Sequence, residues 1–155
     1  MTLDEHAYSL GKLLANFQSL EFILRAFLWN LPLAPSCGVP CGTDIYSLPV
    51  GTELDECAFT NYDSLGKLIE KYNLGAGDRR LPQIDPTLVD IRDALAHGRV
   101  STDSLDQPPR LLKFSCPRNG RVRITFNEQL TQSWFKHQIH RVCEAIQSVR
   151  ERVGP

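Results

Sequence analysis

Apolar residues recur at three- and four-residue spacing in four stretches of the chain, and in a fifth they alternate with polar ones. From residue 3 to about 31, Leu3, Ala7, Leu10, Leu14, Phe17, Leu24, Leu28 and Leu31 form one stripe. Leu13, Leu20 and Phe27 widen it, which predicts a long amphipathic first helix. Glu21 interrupts that stripe and needs a partner, either Arg25 one turn later or Arg92 across the core. A second helix is predicted from about 61 to 73, with Thr60 or Asn61 as cap, Leu65, Leu68, Ile69 and Tyr72 inward, and Gly75 as stop. A third begins at Asp85, a capping residue, and Pro86, suited to the first helical position. Its stripe is Leu88, Ile91 and Leu95, and Gly98 in a left-handed conformation would close it. The last helix is expected from about 128 to 152, capped by Asn127, with Phe135, Ile139, Val142, Ile146 and Val149 inward and Trp134 and Cys143 at the margin.

The alternating stretch predicts a β-hairpin before that last helix. Leu112, Phe114 and Cys116 alternate, Asn119-Gly120 fits a type I′ turn, and Val122, Ile124 and Phe126 alternate on the return, with Lys113, Arg121 and Arg123 on the other face. Proline and glycine punctuate residues 32 to 58 into a long irregular connection. Residues 75 to 80 read as a turn, because a phosphate-binding glycine loop would follow a strand and continue into Lys-Ser or Lys-Thr. Residues 101 to 109 are polar and end in Pro108-Pro109. Together these elements predict an all-α fold, an antiparallel helical bundle of four to five helices in a single domain over 1 to 155, with the hairpin as an embellishment.

Composition narrows the class. With 42% hydrophobic and 23% charged residues in 155, the chain can bury a core of ordinary size. A formal net charge of −1 means that any surface for nucleic acid must be local. The N-terminus lacks a basic leader with an apolar segment behind it, and no run approaches the roughly 20 apolar residues of a membrane span, so a cytoplasmic protein without membrane contact is expected. Five cysteines, an odd number, suggest reduced thiols. Cys37 and Cys41 have the spacing of half a zinc site, but its other ligands would have to come from Cys57, Cys116 or scattered histidines. His137 and His140 share a helix face and read as surface residues. No metal and no cofactor are expected.

Two features carry candidate chemistry. The end of the third helix holds Arg92, Asp93 and His97, with His97 near the negative end of the helix dipole. Five positions turn through about 140° at roughly 100° per residue, so Arg92 and His97 do not share a face unless the last turn frays or a second subunit supplies one of them. Taken alone, both residues also suit a structural role, histidine on the dipole and arginine laid over the core. The second feature is the run from Arg110 to Arg123, in which Arg110, Lys113, Arg118, Arg121 and Arg123 are five basic residues with no acidic one. Such a run serves either as a charged sheet edge that resists aggregation or as a phosphate-contact surface, to which Arg99 would add.

The pattern of arginine, a polar residue, three more, histidine and glycine at the end of a helix, here Arg92-Asp93 to His97-Gly98, resembles the signature of the HEPN (higher eukaryotes and prokaryotes nucleotide-binding) superfamily. Leu20-Glu21 in the long first helix is similar to a pair found in many members. The resemblance implies a homodimer in which two motif helices meet around one cleft, and a metal-independent endoribonuclease acting as a toxin or in defence against phage. It also fits roles for His97 in acid/base work, Arg92 on the phosphate charge and Asp93 in orienting; a pairing of Glu21 with Arg92 would make Glu21 an orienting residue, and the basic run read from the sequence would place Arg99, Arg110, Lys113, Arg118, Arg121 and Arg123 on RNA. An antitoxin or effector protein would be the partner. Members paired with nucleotidyltransferase antitoxins have a tyrosine two residues after the histidine, where this chain has Arg99. Other members keep the fold without catalysis and bind RNA, a nucleotide or a protein.

Overall fold

In the computed structural model, which describes residues 1–40, 42–78, 82–102 and 107–153, the chain forms four α-helices and one three-stranded antiparallel sheet. The helices are α1 (Leu3–Trp29), α2 (Leu65–Asp78), α3 (Leu88–His97) and α4 (Gln132–Val153); the strands are β1 (Arg99–Ser101), β2 (Arg110–Phe114) and β3 (Ile124–Gln129), in the order β1-β2-β3. The expectation of an all-α bundle is therefore corrected to a mixed α/β arrangement. Two segments make the difference. Residues 99–101 leave α3 directly as a strand, and the returning strand of the expected hairpin continues through residues 127–129, where the last helix was expected to begin. Among the described residues, no helix is long and apolar enough to cross a membrane.

The chain groups into two compact units, residues 1–20 with 85–147 and residues 21–84 with 148–155. In the first, the buried positions are Leu13, Phe17 and Leu20 of α1, Leu88, Ile91 and Ala94 of α3, Leu111, Leu130, and Phe135, Val142 and Ala145 of α4. Leu95, expected inward, is only half-buried, and Ala94 takes its place. Thr131, and not Asn127, caps α4: its hydroxyl accepts from the Trp134 amide at 3.1 Å. Gln138 is buried on the α4 stripe and accepts from Arg141 Nη1 at 2.8 Å. Arg141 also reaches Asp85 at 2.6 Å.

The second unit buries Leu24, Phe27 and Leu28 of α1, Leu65, Leu68, Ile69, Tyr72 and Ala76 of α2, Ile84 and Val149. Here α2 starts later than expected and runs through Gly75. The Asn61 side chain accepts from the Asp63 amide at 3.0 Å, a local bond that competes with helix, so the helix starts after Ser64. Arg25 holds the same segment, donating to the Asn61 carbonyl and side chain at 2.8 Å each and to the Asp63 carbonyl at 2.7 Å. Cys37 and Cys57 form a disulfide with Cα atoms 5.4 Å apart, which corrects the expectation that all thiols are reduced. The Cys37 sulfur is thus not available to zinc. Cys41 lies outside the described residues, as do Arg79 and Arg80 of the expected turn and 103–106 of the polar connection.

Candidate functional site

The motif residues sit at the C-terminal end of α3, where the chain passes into β1 within one residue. Helix entry is capped one step earlier than the helix itself: Asp85 Oδ1 accepts from the Thr87 amide at 2.9 Å, and Leu88 and Val89 donate to the carbonyls of Asp85 and Pro86. That Thr87 amide, together with the Thr87 hydroxyl and Arg141, holds the Asp85 carboxyl below the usual carboxylate range against the opposing effect of burial. At the other end Gly98 does not take the expected left-handed conformation. Its φ and ψ of −76° and 173° are extended, and its amide donates to the Ala94 carbonyl at 2.7 Å. Glycine is needed there for space: a Cβ would overlap the Ala94 carbonyl and come within 2.5 Å of Leu111 Cδ1 and 3.0 Å of the Leu112 carbonyl.

This close approach of α3 to β2 assembles the charged group. Arg92 Nη1 lies 3.4 Å from Asp93 Oδ1, and Lys113 Nζ lies 3.6 Å from Asp93 Oδ2, so one carboxylate bridges two cations. The three side chains are 34%, 37% and 22% exposed, which leaves them open enough to meet a ligand and shielded enough to keep a preferred geometry. Lys113 reaches Asp93 because the face of β2 is opposite to the one expected. Leu111 is buried, and Lys113, two residues on, shares its side of the sheet. Leu112 and Phe114 take the other side.

On that other side His97 and Arg99 line a cavity of about 380 Å³ together with Phe114, Ser115, Pro117 and Val122. Arg99 pairs with Leu112 across the β1–β2 ladder, so Phe114 is its diagonal neighbour on the same face. The guanidinium lies 5.1 Å from the Phe114 ring centroid, in the range of a cation–π contact. His97 is exposed at the cavity. The structure thus brings the candidate residues into two groups, Arg92 with Asp93 and Lys113, and His97 with Arg99.

The remaining basic residues are spread along the sheet and its turn. Arg110 is exposed and donates to Asn127 Oδ1 at 2.6 Å across β2–β3. Arg118 and Arg121 exchange backbone bonds at 2.8 and 3.0 Å around Asn119 and Gly120, whose φ values of 51° and 72° make the expected type I′ turn. Both side chains are exposed, as is that of Arg123, whose carbonyl accepts from the Ser115 amide. Glu21 is half-buried in α1, in the unit of residues 21–84. His137 is exposed, and His140, 71% exposed, lies 3.4 Å from Glu144. Among the described residues, no group of three or more histidine, cysteine, aspartate or glutamate side chains is placed to hold a metal ion.

Sequence reasoning missed Phe114 as the surface beneath Arg99 and Lys113 as the partner of Asp93. The first depends on a three-residue strand, Arg99–Ser101, too short to give a periodic signal, and the second on which face of β2 is buried. Comparison with protein-family models, with curated proteins and with solved structures finds no match to this chain.

Proposed function

We propose that this protein is a metal-independent endoribonuclease of HEPN type, acting as a homodimer in which two copies of the α3 end face one another. The observation that carries the reading is the shared cavity of an exposed histidine and an arginine stacked on an aromatic ring, His97, Arg99 and Phe114. Single-stranded RNA is recognised by stacking its splayed bases on aromatic and guanidinium planes and by cations on its phosphates, and this cavity offers both. Histidine titrates near neutrality and serves either proton-transfer step.

In the proposed reaction His97 accepts the proton of a ribose 2′-hydroxyl, whose oxygen attacks the adjacent phosphorus. The 5′-oxygen leaves with a proton from the partner subunit's His97, and a 2′,3′-cyclic phosphate and a 5′-hydroxyl result. Arg92, permanently charged and bidentate, stabilises the phosphorane. Asp93 fixes Arg92 and Lys113 in relation to each other. Arg99, Arg110, Arg118, Arg121 and Arg123 supply phosphate contacts along the sheet and its turn. The two-fold arrangement answers the 140° between Arg92 and His97 on one helix, because each residue then works with its symmetry mate. A toxin or phage-defence role, an antitoxin or effector partner and a cytoplasmic location belong to this reading.

The test is cleavage of labelled single-stranded RNA in EDTA by wild type, His97→Ala and Arg92→Lys, with dimerisation and thermal stability followed alongside. Loss of cleavage in a folded, dimeric His97→Ala supports the reading; cleavage that survives it refutes the role of His97. A second reading, a noncatalytic RNA-binding module, is favoured by the Arg99–Phe114 stack itself, which holds a base without cutting it. It predicts RNA binding that weakens in Phe114→Ala and no cleavage by wild type.

A further inference from the structure

A second cavity, of about 240 Å³, lies within the unit of residues 21–84 and has no part in the proposed ribonuclease site. Four of its lining side chains are aromatic: Phe22 and Trp29 of α1, Tyr46 of the short 3-10 helix Ile45–Ser47, and Phe59. Phe59 joins two of the others, standing 5.9 Å from Phe22 at 82° and 5.4 Å from Trp29 at 40°, and Phe22 lies 6.5 Å from Tyr46 at 42°. Four aromatic rings thus line one space, with Phe22 and Phe59 set edge to face. Phe22 and Tyr46 are 47% and 75% exposed, so the aromatic surface is open to solvent. Asp44 is the single charged lining residue among the described ones, and no cationic side chain joins it there.

The walls are anchored. Asp44 Oδ1 accepts from the Tyr46 amide at 3.0 Å and thereby fixes the 3-10 turn that carries the tyrosine. The Cys37–Cys57 disulfide pins the chain two residues before Phe59, and the Thr60 amide closes a turn onto the Cys57 carbonyl at 3.2 Å. Trp29 and Phe22 project from a helix. Such a cage is built before a ligand arrives, which lowers the ordering cost of binding.

From this geometry we infer that the cavity binds a trimethylammonium head group. The faces of the four rings are electron-rich and attract a cation within about 6 Å of their centroids. A carboxylate at the rim selects for positive charge, and the absence of a cation from the described lining disfavours phosphate and carboxylate ligands. Methylation matters because it spreads the charge over apolar methyl groups, which the rings can desolvate, whereas a bare ammonium is strongly hydrated. The volume is below the roughly 300–1,000 Å³ of pockets that enclose a whole drug-sized ligand, and so suits a head group with the rest of the molecule outside.

Isothermal titration of the full chain with tetramethylammonium, choline, a trimethyl-lysine peptide and 3,3-dimethylbutanol tests the inference. The last is a neutral, near-isosteric counterpart of choline. The expected result is binding of the cations at least tenfold tighter than of the neutral compound, lost in Trp29→Ala and weakened severalfold in Asp44→Asn. Tyr46→Ala, at a largely exposed position, provides the same test if Trp29→Ala does not fold. A peptide that binds more tightly than choline identifies a protein tail as the source of the head group, and the reverse order identifies a small molecule. Equal binding of choline and its neutral counterpart, no cation binding, or cation binding unchanged in a folded Trp29→Ala or Tyr46→Ala overturns the inference.

Discussion

Replacing Gly98 with alanine tests whether the contact between α3 and β2 sets the candidate site. The added Cβ meets the Ala94 carbonyl, lies 2.5 Å from Leu111 Cδ1 and 3.0 Å from the Leu112 carbonyl. Carbon atoms in favourable contact are about 3.5–4.0 Å apart, so the overlap with Leu111 exceeds about 1 Å. Leu111 is buried and cannot swing into solvent, and the other two obstacles are main-chain oxygens of α3 and β2. Overpacking of this kind costs about 1–3 kcal/mol, and the rigid neighbours place Gly98→Ala near the top of that range. Against it stands a gain of about 0.4–1 kcal/mol from a stiffer unfolded chain, since the φ of −76° suits alanine. The net loss is then about 2 kcal/mol, which in a domain of this size lowers Tm by about 4–8 °C.

Two controls make the result specific. Gly11 and Gly75 lie inside α1 and α2 with nothing within 4 Å of an added Cβ, so alanine at either should raise stability by about 0.5–1 kcal/mol. Differential scanning calorimetry of the three variants checks the ordering. Gly98→Ala also separates His97 and Arg99 from their present cavity, because the shift needed to clear the Cβ falls between them. An unchanged Tm for Gly98→Ala, within about 1 °C, would refute the argument that the α3–β1 turn is packed this closely.

Other consequences follow from single features. Arg25→Lys cannot reproduce three bonds at 2.7–2.8 Å to Asn61 and Asp63 and leaves part-buried acceptors unmet; a loss of about 2 kcal/mol is expected in urea denaturation, and an unchanged midpoint speaks against it. Reduction of Cys37–Cys57, which closes a loop of 20-residue separation, should cost about 3 kcal/mol and lower Tm in dithiothreitol but not in Cys37→Ser/Cys57→Ser. Burial lowers the pKa of His6, which packs edge-on against Phe135 at 5.4 Å, so the unfolded chain takes up the proton first. Its contribution is complete above about pH 6.5 and is lost as pH falls through that value toward the folded pKa; His6→Phe should flatten the stability profile in this window. Asp63, held below the usual range chiefly by its bond from Lys71, acts lower: its contribution is present above about pH 4 and is lost below it, and Asp63→Asn should remove that slope in acid denaturation.

How much of this was legible in the sequence depends on how local each determinant is. Phe17, Leu24 and Leu28 of the expected α1 stripe are buried together with Leu13, Leu20 and Phe27, which were expected only to widen it, whereas Leu3, Ala7 and Leu14 of the stripe are exposed; along α4, Phe135, Val142 and Val149 recur at seven and are buried, so the periodic signal finds both helices but places the α1 face only in part. The ends of the helices are decided by side chains reaching elsewhere. Asn61 bonds the Asp63 amide and Arg25 holds both residues from another helix, and neither contact has a spacing that periodicity detects. The pairing of Cys37 with Cys57 is equally hidden in an odd count of five.

The sheet is where a small ambiguity had the largest effect. Leu111 and Leu112 are adjacent and both apolar, so alternation alone assigns the inward face to either, and a shift of one residue exchanges every side chain between faces. With Leu111 inward, Lys113 turns toward α3 and meets Asp93, while Phe114 turns outward and meets Arg99. The motif residues Arg92, Asp93 and His97 could be named from a single helix end. What they touch could not, because it depends on the pairing of Arg99 with Leu112 across a connection of eight residues, and that pairing decides that the arginine after the motif lies on an aromatic ring beside the histidine.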